Sequence, residues 1–295
     1  MDNNSSDGTS KFCQDFLEKA NMGNSWKVVL AREPGLSHAR KAGVLNSKYE
    51  YVIFCDDDNW FNPDFVQLAY TLMEEKPDTG VLGGLGIAEL EGAKPLWFDA
   101  YAKSYAVGPQ AQSSGLVQGN AIIYGAGMII RKSVLIDLFD SGFDSLLSDR
   151  KGTDLVSGGD NEICLWYRYL GYKIIYDERL SFKHYIPSNR LTKNYLLKRA
   201  TGKGKTEAIF NIYSSLFRGE KKVKWIESYF YWNVEVFKRL LLLLLFSITP
   251  FTFERKLSRN VLWSLIIFRL FNKLYLKQCS IKLIGVMSKM RKMYV

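Results

Sequence analysis

The sequence predicts an α/β fold on a mostly parallel sheet, followed by a helical, basic region. Short apolar runs alternate with segments of helical period up to about Asn194, an order that implies parallel strands with covering helices. Charge divides the chain at nearly the same place, with 17 basic and 25 acidic residues up to Phe182 but 23 and 5 beyond it. At 295 residues, 47% apolar and 24% charged, the chain is globular and long enough for one good core with room for a smaller second one. Residues 1–194 are read as the α/β domain and 195–295 as the helical region.

The elements follow in order. MDNNSSDGTS opens with turn formers and a helix N-cap, and residues 10–20 have helical period. Residues 26–30 (WKVVL) form a short apolar strand, 35–45 (GLSHARKAGVL) a helix and 51–55 (YVIFC) a buried strand. Residues 62–75 give the next helix, with Pro63 near its first turn. Residues 80–87 (GVLGGLGI) are a glycine-rich strand, and 89–119 show no clear period, as in a loop or hairpin. Residues 122–130 and 172–176 are the last strands, with a helix over 161–170 between them. No internal repeat is visible. Cys13, Cys55, Cys164 and Cys279 have no paired spacing, which argues against a disulfide framework or zinc knuckle and suits a reducing compartment. No secretory signal is recognisable.

The strand YVIFC ends in Asp56, Asp57 and Asp58. Ligands of open α/β sheets sit outside the carboxyl ends of strands, so these carboxylates are expected to face one. Crowded carboxylates repel unless a cation lies between them, and hard oxygen donors with room for water suit Mg²⁺ or Mn²⁺, which in turn bind phosphate oxygens. The alternative is an acidic loop capping the next helix through Asp58 or Asn59. A second acid, Asp160, follows two glycines at a predicted helix start. It is either an ordinary cap or a carboxylate facing the same cleft from the far side, as a general base requires.

In order, DNNSSDGT, GLSHARKAG, the strand ending in DDD, GAGMIIRKS, GGDNEICLWYRYLGYKI and SFKHYIP resemble the motifs of the family 2 glycosyltransferases, of the GT-A fold, over residues 2–190. The resemblance implies a nucleotide-sugar donor, a divalent metal (Mn²⁺ or Mg²⁺) and transfer with inversion. It places Asp2 and Asn3 at the nucleobase and ribose, Arg40 near the nucleotide, and Asp56 and Asp58 in the DxD pair. Asp58 is the direct metal ligand of that pair; Asp56 lies nearer the ribose, with Asp57 beside the donor. His184 falls where some relatives supply a further metal ligand, the bland reading being a structural histidine. Asp160 matches the acid of the family's Glu-Asp pair, the base for the acceptor hydroxyl, while Gly159 stands where the family has Glu. Gly125 and Gly127, by open backbone, and Trp166, as a stacking surface, suit the acceptor side; Trp166 fits a core equally. The family's first strand and helix have no counterpart before DNNSSDGT, so the chain is expected to be truncated relative to the family.

Beyond Arg239 lie fourteen uncharged residues, LLLLLLFSITPFTF, too few for a helix that needs about 20 residues to span a bilayer. They suit an interfacial, re-entrant or buried helix. Arg269, Lys273 and Lys277 recur every fourth residue, as on a basic amphipathic helix lying on an anionic membrane; the alternative is a helical subdomain with a solvated cationic face. Nucleic acid is disfavoured, because the lysines interleave with leucines and no recognised nucleic-acid motif is present. The expected function is transfer of a sugar to a glycan or lipid-linked acceptor in bacterial surface-polysaccharide or glycolipid synthesis, peripherally on the cytoplasmic face of the inner membrane. Its rivals are an inactive glycosyltransferase-like membrane scaffold and a metal-dependent nucleotidyltransferase, which leaves GGDNE without a role.

Overall fold

The structure, a computed structural model, describes residues 1–294 except 22, 24, 120, 148, 150–154, 220–222, 224, 225, 227, 228 and 249–251. Its centre is the ladder between β3 (Thr79–Leu90) and β6 (Lys173–Ile186), parallel from Thr79 opposite Lys173 to Leu90 opposite Ile186. The glycines of β3 are needed there. A Cβ at Gly84 would strike the Leu180 carbonyl of β6, and one at Gly86 the carbonyl of Ala106. β5 (Ile129–Arg131) runs antiparallel between β3 and β1 (Tyr51–Ile53). β2 (Asn59–Phe61) and β4 (Gly115–Leu116) pair antiparallel with different parts of β6, giving the order β1-β5-β3-β6-β2 with β4 also on β6. The sheet is therefore mixed: β1, β3 and β6 share one direction, and β2, β4 and β5 oppose it.

Alternation along the strands separates two apolar layers. Leu82, Ile129 and Ile175 pack under α3 (Phe65–Glu75) with its Phe65, Ala69 and Met73. Val81, Ile130 and Ile174 point the other way, to α5 (Lys132–Asp140) and α6 (Gly159–Tyr169). Two further helices flank this unit, α1 (Thr9–Lys19) and α2 (Leu36–Asn46). The expected strand over 26–30 does not form. Only Leu30 pairs, through one parallel bridge to Asp2, because the side-chain amide of Asn3 turns to the Ala31 and Glu33 carbonyls and ends the ladder. The expected strand over 122–130 shrinks to β5, since Met128 N–H closes a turn on the Gly125 carbonyl and Gly127 sits at φ +67°. The aperiodic stretch contains a short α4 (Phe98–Tyr101), a 3₁₀ turn (Ala102–Tyr105) and β4.

The helical region shares the core of the sheet. α7 (Lys193–Phe217), α9 (Phe253–Phe271) and α10 (Lys273–Tyr294) contribute Ile209, Ile212, Leu265, Leu283 and Met287 to the cluster that holds Val81 and Ile130. The change near Asn194 is thus one of architecture within one cluster. Glu162 of α6, fully buried, ties the pieces together: it accepts from the Leu146 and Leu147 amides, from the Tyr213 hydroxyl at 2.7 Å and from the Ser145 hydroxyl. Burial pushes its carboxyl up to about 7 against those donors. α8 (Tyr229–Ile248) differs, with Phe237 and Leu240–Leu242, Leu244 and Leu245 exposed. Among the described residues no helix is long and apolar enough to cross a membrane, and 249–251 of the uncharged run lie outside those residues. The expected Arg269–Lys273–Lys277 face is corrected: Asn272 separates α9 from α10, and Arg269 is buried.

α7 and α9 touch at Gly204, where a Cβ would lie 2.5 Å from the Leu265 nitrogen and 2.6 Å from the Val261 carbonyl oxygen. Gly204→Ala is expected to part the two helices and lower unfolding stability by about 1–3 kcal/mol, read by denaturant titration.

Candidate active site

A cavity of about 730 Å³ opens at the end of the sheet where β1 stops. Asp56 and Asp58 stand on one wall with His184; Asp160, Asp149 and Arg40 stand on another with Tyr124 and Gly125; Arg199, Lys203 and Val261 belong to the helical region. The β2–β6 register puts Asn59 opposite His184, and this brings Asp58, the preceding residue, beside that imidazole. Asp58 Oδ2 lies 3.5 Å from His184 Nε2 and accepts from Arg190 Nη1 at 3.1 Å, while Oδ1 accepts from Asn59 Nδ2 at 2.6 Å. Burial alone would raise the Asp58 carboxyl, but the imidazole and guanidinium outweigh it and hold the group at about 2. His184 is buried, and its Nδ1 has no hydrogen-bond partner among the described residues.

Across the cavity, Asp160 opens α6. Its Oδ2 accepts from Gly125 N–H at 3.1 Å and its Oδ1 from Asn161 N–H at 2.9 Å, so the carboxylate is oriented by backbone on both oxygens. Arg40 projects from α2 over the Phe54 ring, 5.3 Å from its centroid, and its Nη1 lies 3.3 Å from Asp149 Oδ2. Asp149 is almost wholly buried and accepts from the Gly158 and Gly159 amides at 2.6 and 3.1 Å. Burial first, and then the Asp160 charge, push its carboxyl up to about 6 against Arg40 and those amides.

Asp56, Asp58, Asp160, Arg40, His184 and Gly125 thus meet in one cavity. Other expected members fall elsewhere. Asp57 is exposed and off the cavity wall. Asp2 and Asn3 brace the loop before α2: Asp2 Oδ1 accepts from Ser5 N–H, and Asn3 Oδ1 accepts from Gly35 N–H at 2.7 Å. Gly127 faces the Phe182 ring, with a Cβ position 3.0 Å from it, and serves the turn into β5. Trp166 is corrected from acceptor surface to core: it is fully buried against Phe143, Tyr213 and Phe217 and offers no face to a ligand. Sequence reasoning missed Asp149, whose SDRKG context reads as a solvated turn, and Arg190, whose only signal is its nearness to SFKHYIP.

Asp58 Oδ2 and His184 Nε2, 3.5 Å apart, are two donors that would have to close to about 3 Å to take cis positions on one octahedral Mg²⁺. Among the described residues no group of three or more His, Cys, Asp or Glu side chains could hold a metal ion. Phosphate oxygens and water would therefore fill most of the coordination shell, as is usual for Mg²⁺.

The profile of the family described as "Glycosyl transferase family 2" matches residues 1–139, from the start of the chain through Asp56 and Asp58 to α5. By this match, residues 1–139 carry the pattern of glycosyltransferase family 2. The chain is 22% identical over 180 residues to a glucosyl-dolichyl phosphate glucuronosyltransferase of Haloferax volcanii, an overlap of 60% of this chain and 56% of the relative. It is 29% identical over 106 residues to glycosyltransferase GlyA of Streptococcus pneumoniae, covering 36% of this chain and 14% of that one. The chain thus spans little more than half of the first relative's length and a small part of the second's. In fold it is similar to a mannosyltransferase from Pyrobaculum calidifontis solved with GDP-Man and Mn²⁺, with a TM-score of 0.53 and 15% identity over 92% of this chain and 76% of that one.

Arg40→Leu would take the Arg40 guanidinium away from the buried Asp149 carboxylate. The expected loss of stability is about 3–5 kcal/mol at pH 8. It should shrink at pH 5, where Asp149, already raised to about 6, is protonated and carries no charge to compensate. Thermal melts at the two pH values measure the difference.

Proposed function

We propose that the protein is an inverting glycosyltransferase that moves a sugar from a nucleoside-diphosphate donor to a hydroxyl of a glycan or lipid-linked acceptor, in bacterial surface-polysaccharide or glycolipid synthesis. The observation that carries this proposal is that Asp58 with His184, and Asp160 with its two amide donors, face one cavity from different elements. Asp58 and His184 would hold a divalent cation, Mn²⁺ or Mg²⁺, with Asp56 beside it. When bound, that cation would neutralise charge developing on the departing diphosphate. Arg40, paired with Asp149, lies beside Gly125 on the side of the base. Asp160 takes the proton from the acceptor hydroxyl; the Gly125 and Asn161 amides aim its carboxylate. A base carried by a different element from the cation that would hold the leaving group suits in-line displacement, and hence inversion. The names of the relatives support the same class: one acts on a glucosyl-dolichyl phosphate, and another was solved with GDP-Man.

A panel of nucleotide sugars with Mn²⁺ and membrane extract, read by release of nucleoside diphosphate, tests this. Turnover with one donor, abolished by EDTA and lowered about 10²–10⁴-fold by Asp160→Asn, is expected. Donor binding with no turnover under any acceptor would favour the scaffold.

The acceptor side is expected to meet the cytoplasmic membrane face. The exposed leucines of α8 and Trp263, Leu270 and Phe271 of α9 lie in the cationic part of the chain, the combination that anionic lipid surfaces bind. Sedimentation with vesicles is expected to show binding to phosphatidylglycerol-containing bilayers that weakens with salt and falls at least tenfold when Leu241 and Leu244 become Ser. Equal binding to neutral vesicles, or none to either, would contradict it.

A further inference from the structure

Gly159, the first residue of α6, is followed directly by Asp160. The space that a side chain at 159 would occupy is already filled: a Cβ there would run into Asp149 Oδ2 and would lie 3.0 Å from Ser37 Oγ. Asp149 reaches this place from the preceding loop in a left-handed backbone conformation, φ +56°, that few non-glycine residues adopt. Its carboxylate has a structural task, since both Gly158 and Gly159 N–H groups end on it. It also has an electrostatic one, holding Arg40 where the guanidinium covers Gly125, whose own N–H orients Asp160. One strained, buried acid therefore controls both backbone amides at the helix start and the cation next to the candidate base.

We propose that Asp149 acts as a positioning residue for Asp160, supplying from the preceding loop the carboxylate that a side chain at position 159 would otherwise place beside it. This inference rests on the transferase reading only for its kinetic consequence; the geometry stands without it. It predicts that the carboxylate can be moved back. Asp149→Gly relieves the positive φ and empties the space, and Gly159→Glu then refills that space from the helix. Neither change touches the cation pair of Asp58 and His184.

The test compares four proteins: wild type, Asp149→Gly, Gly159→Glu and the double variant. Thermal melts confirm folding. In each, the Gly125 and Asn161 amide resonances are recorded as reporters of the Asp160 carboxylate, and kcat and the donor KM are measured with the donor that the wild type turns over. Each single variant is expected to shift both amides and to lower kcat at least tenfold, with donor KM changed less than threefold. The double variant is expected to return the amides and to recover at least a third of wild-type kcat. If Asp149→Gly folds and leaves the amides and kcat unchanged, or if the double variant is no better than the worse single one, the proposal is wrong. Asp149→Asn, which keeps the shape and removes the charge, serves should Asp149→Gly fail to fold: the same amide shifts are expected, and unshifted amides overturn the proposal. A wild type without turnover whose amides respond as described would refute the transferase reading and leave the positioning role standing.

Discussion

The buried pair of Arg40 and Asp149 fixes where three separate pieces of chain meet. Arg40 comes from α2, Asp149 from the loop before α6, and the amides that share the carboxylate from the start of α6 itself. A carboxylate so deeply buried persists only with such partners, because desolvating an unpaired charge costs several kcal/mol. Once the pair is made, Gly125 lies under the guanidinium and Asp160 is held by its N–H. On the other wall the same rule applies with different partners, as His184 and Arg190 settle Asp58. The cavity is thus acidic by composition and organised by a few cations.

How far the sequence predicts this arrangement depends on the range of each interaction. Asp56 and Asp58 were legible because they end an apolar run, and Asp160 because it opens a periodic segment; both signals are local. The glycine-rich run of β3 was legible as a strand, but the partners it approaches closely, Leu180 and Ala106, are distant in sequence. Asp149 was not legible. Nothing in SDRKG marks a positive φ or a partner more than a hundred residues away. WKVVL failed for the opposite reason: its composition suits a strand, but strand formation needs a neighbour, and Asn3 leaves the ladder after one bridge. Trp166 sits on a helix whose period could not say which apolar residues would be enclosed; α7, packed over it through Tyr213 and Phe217, decides that.

The helical region shows the same limit on a larger scale. Its charge and leucine content suggested a body apart, yet α7 and α9 complete the cavity with Arg199, Lys203, Leu257 and Val261. The same helices close the core through Leu265 and Ile266. A regular spacing of Arg269, Lys273 and Lys277 gave no warning of the break at Asn272, because a helix boundary shifts every later residue to a new face. In α8, Val236 and Leu243 pack against this shared core, while Leu240–Leu242, Leu244 and Leu245 remain apolar and exposed. A single chain thereby joins the candidate site to an exposed apolar helix face.

The central claim is that the cavity takes a nucleoside diphosphate through a divalent cation held at Asp58 and His184. The most direct measurement is calorimetric titration of UDP and GDP into the wild-type protein and Asp58→Asn, each with Mn²⁺ and with EDTA. The account predicts that one nucleotide binds the wild type with Mn²⁺ and that binding is lost with EDTA or in Asp58→Asn. Equal affinity with and without the metal, or in the variant, would contradict it.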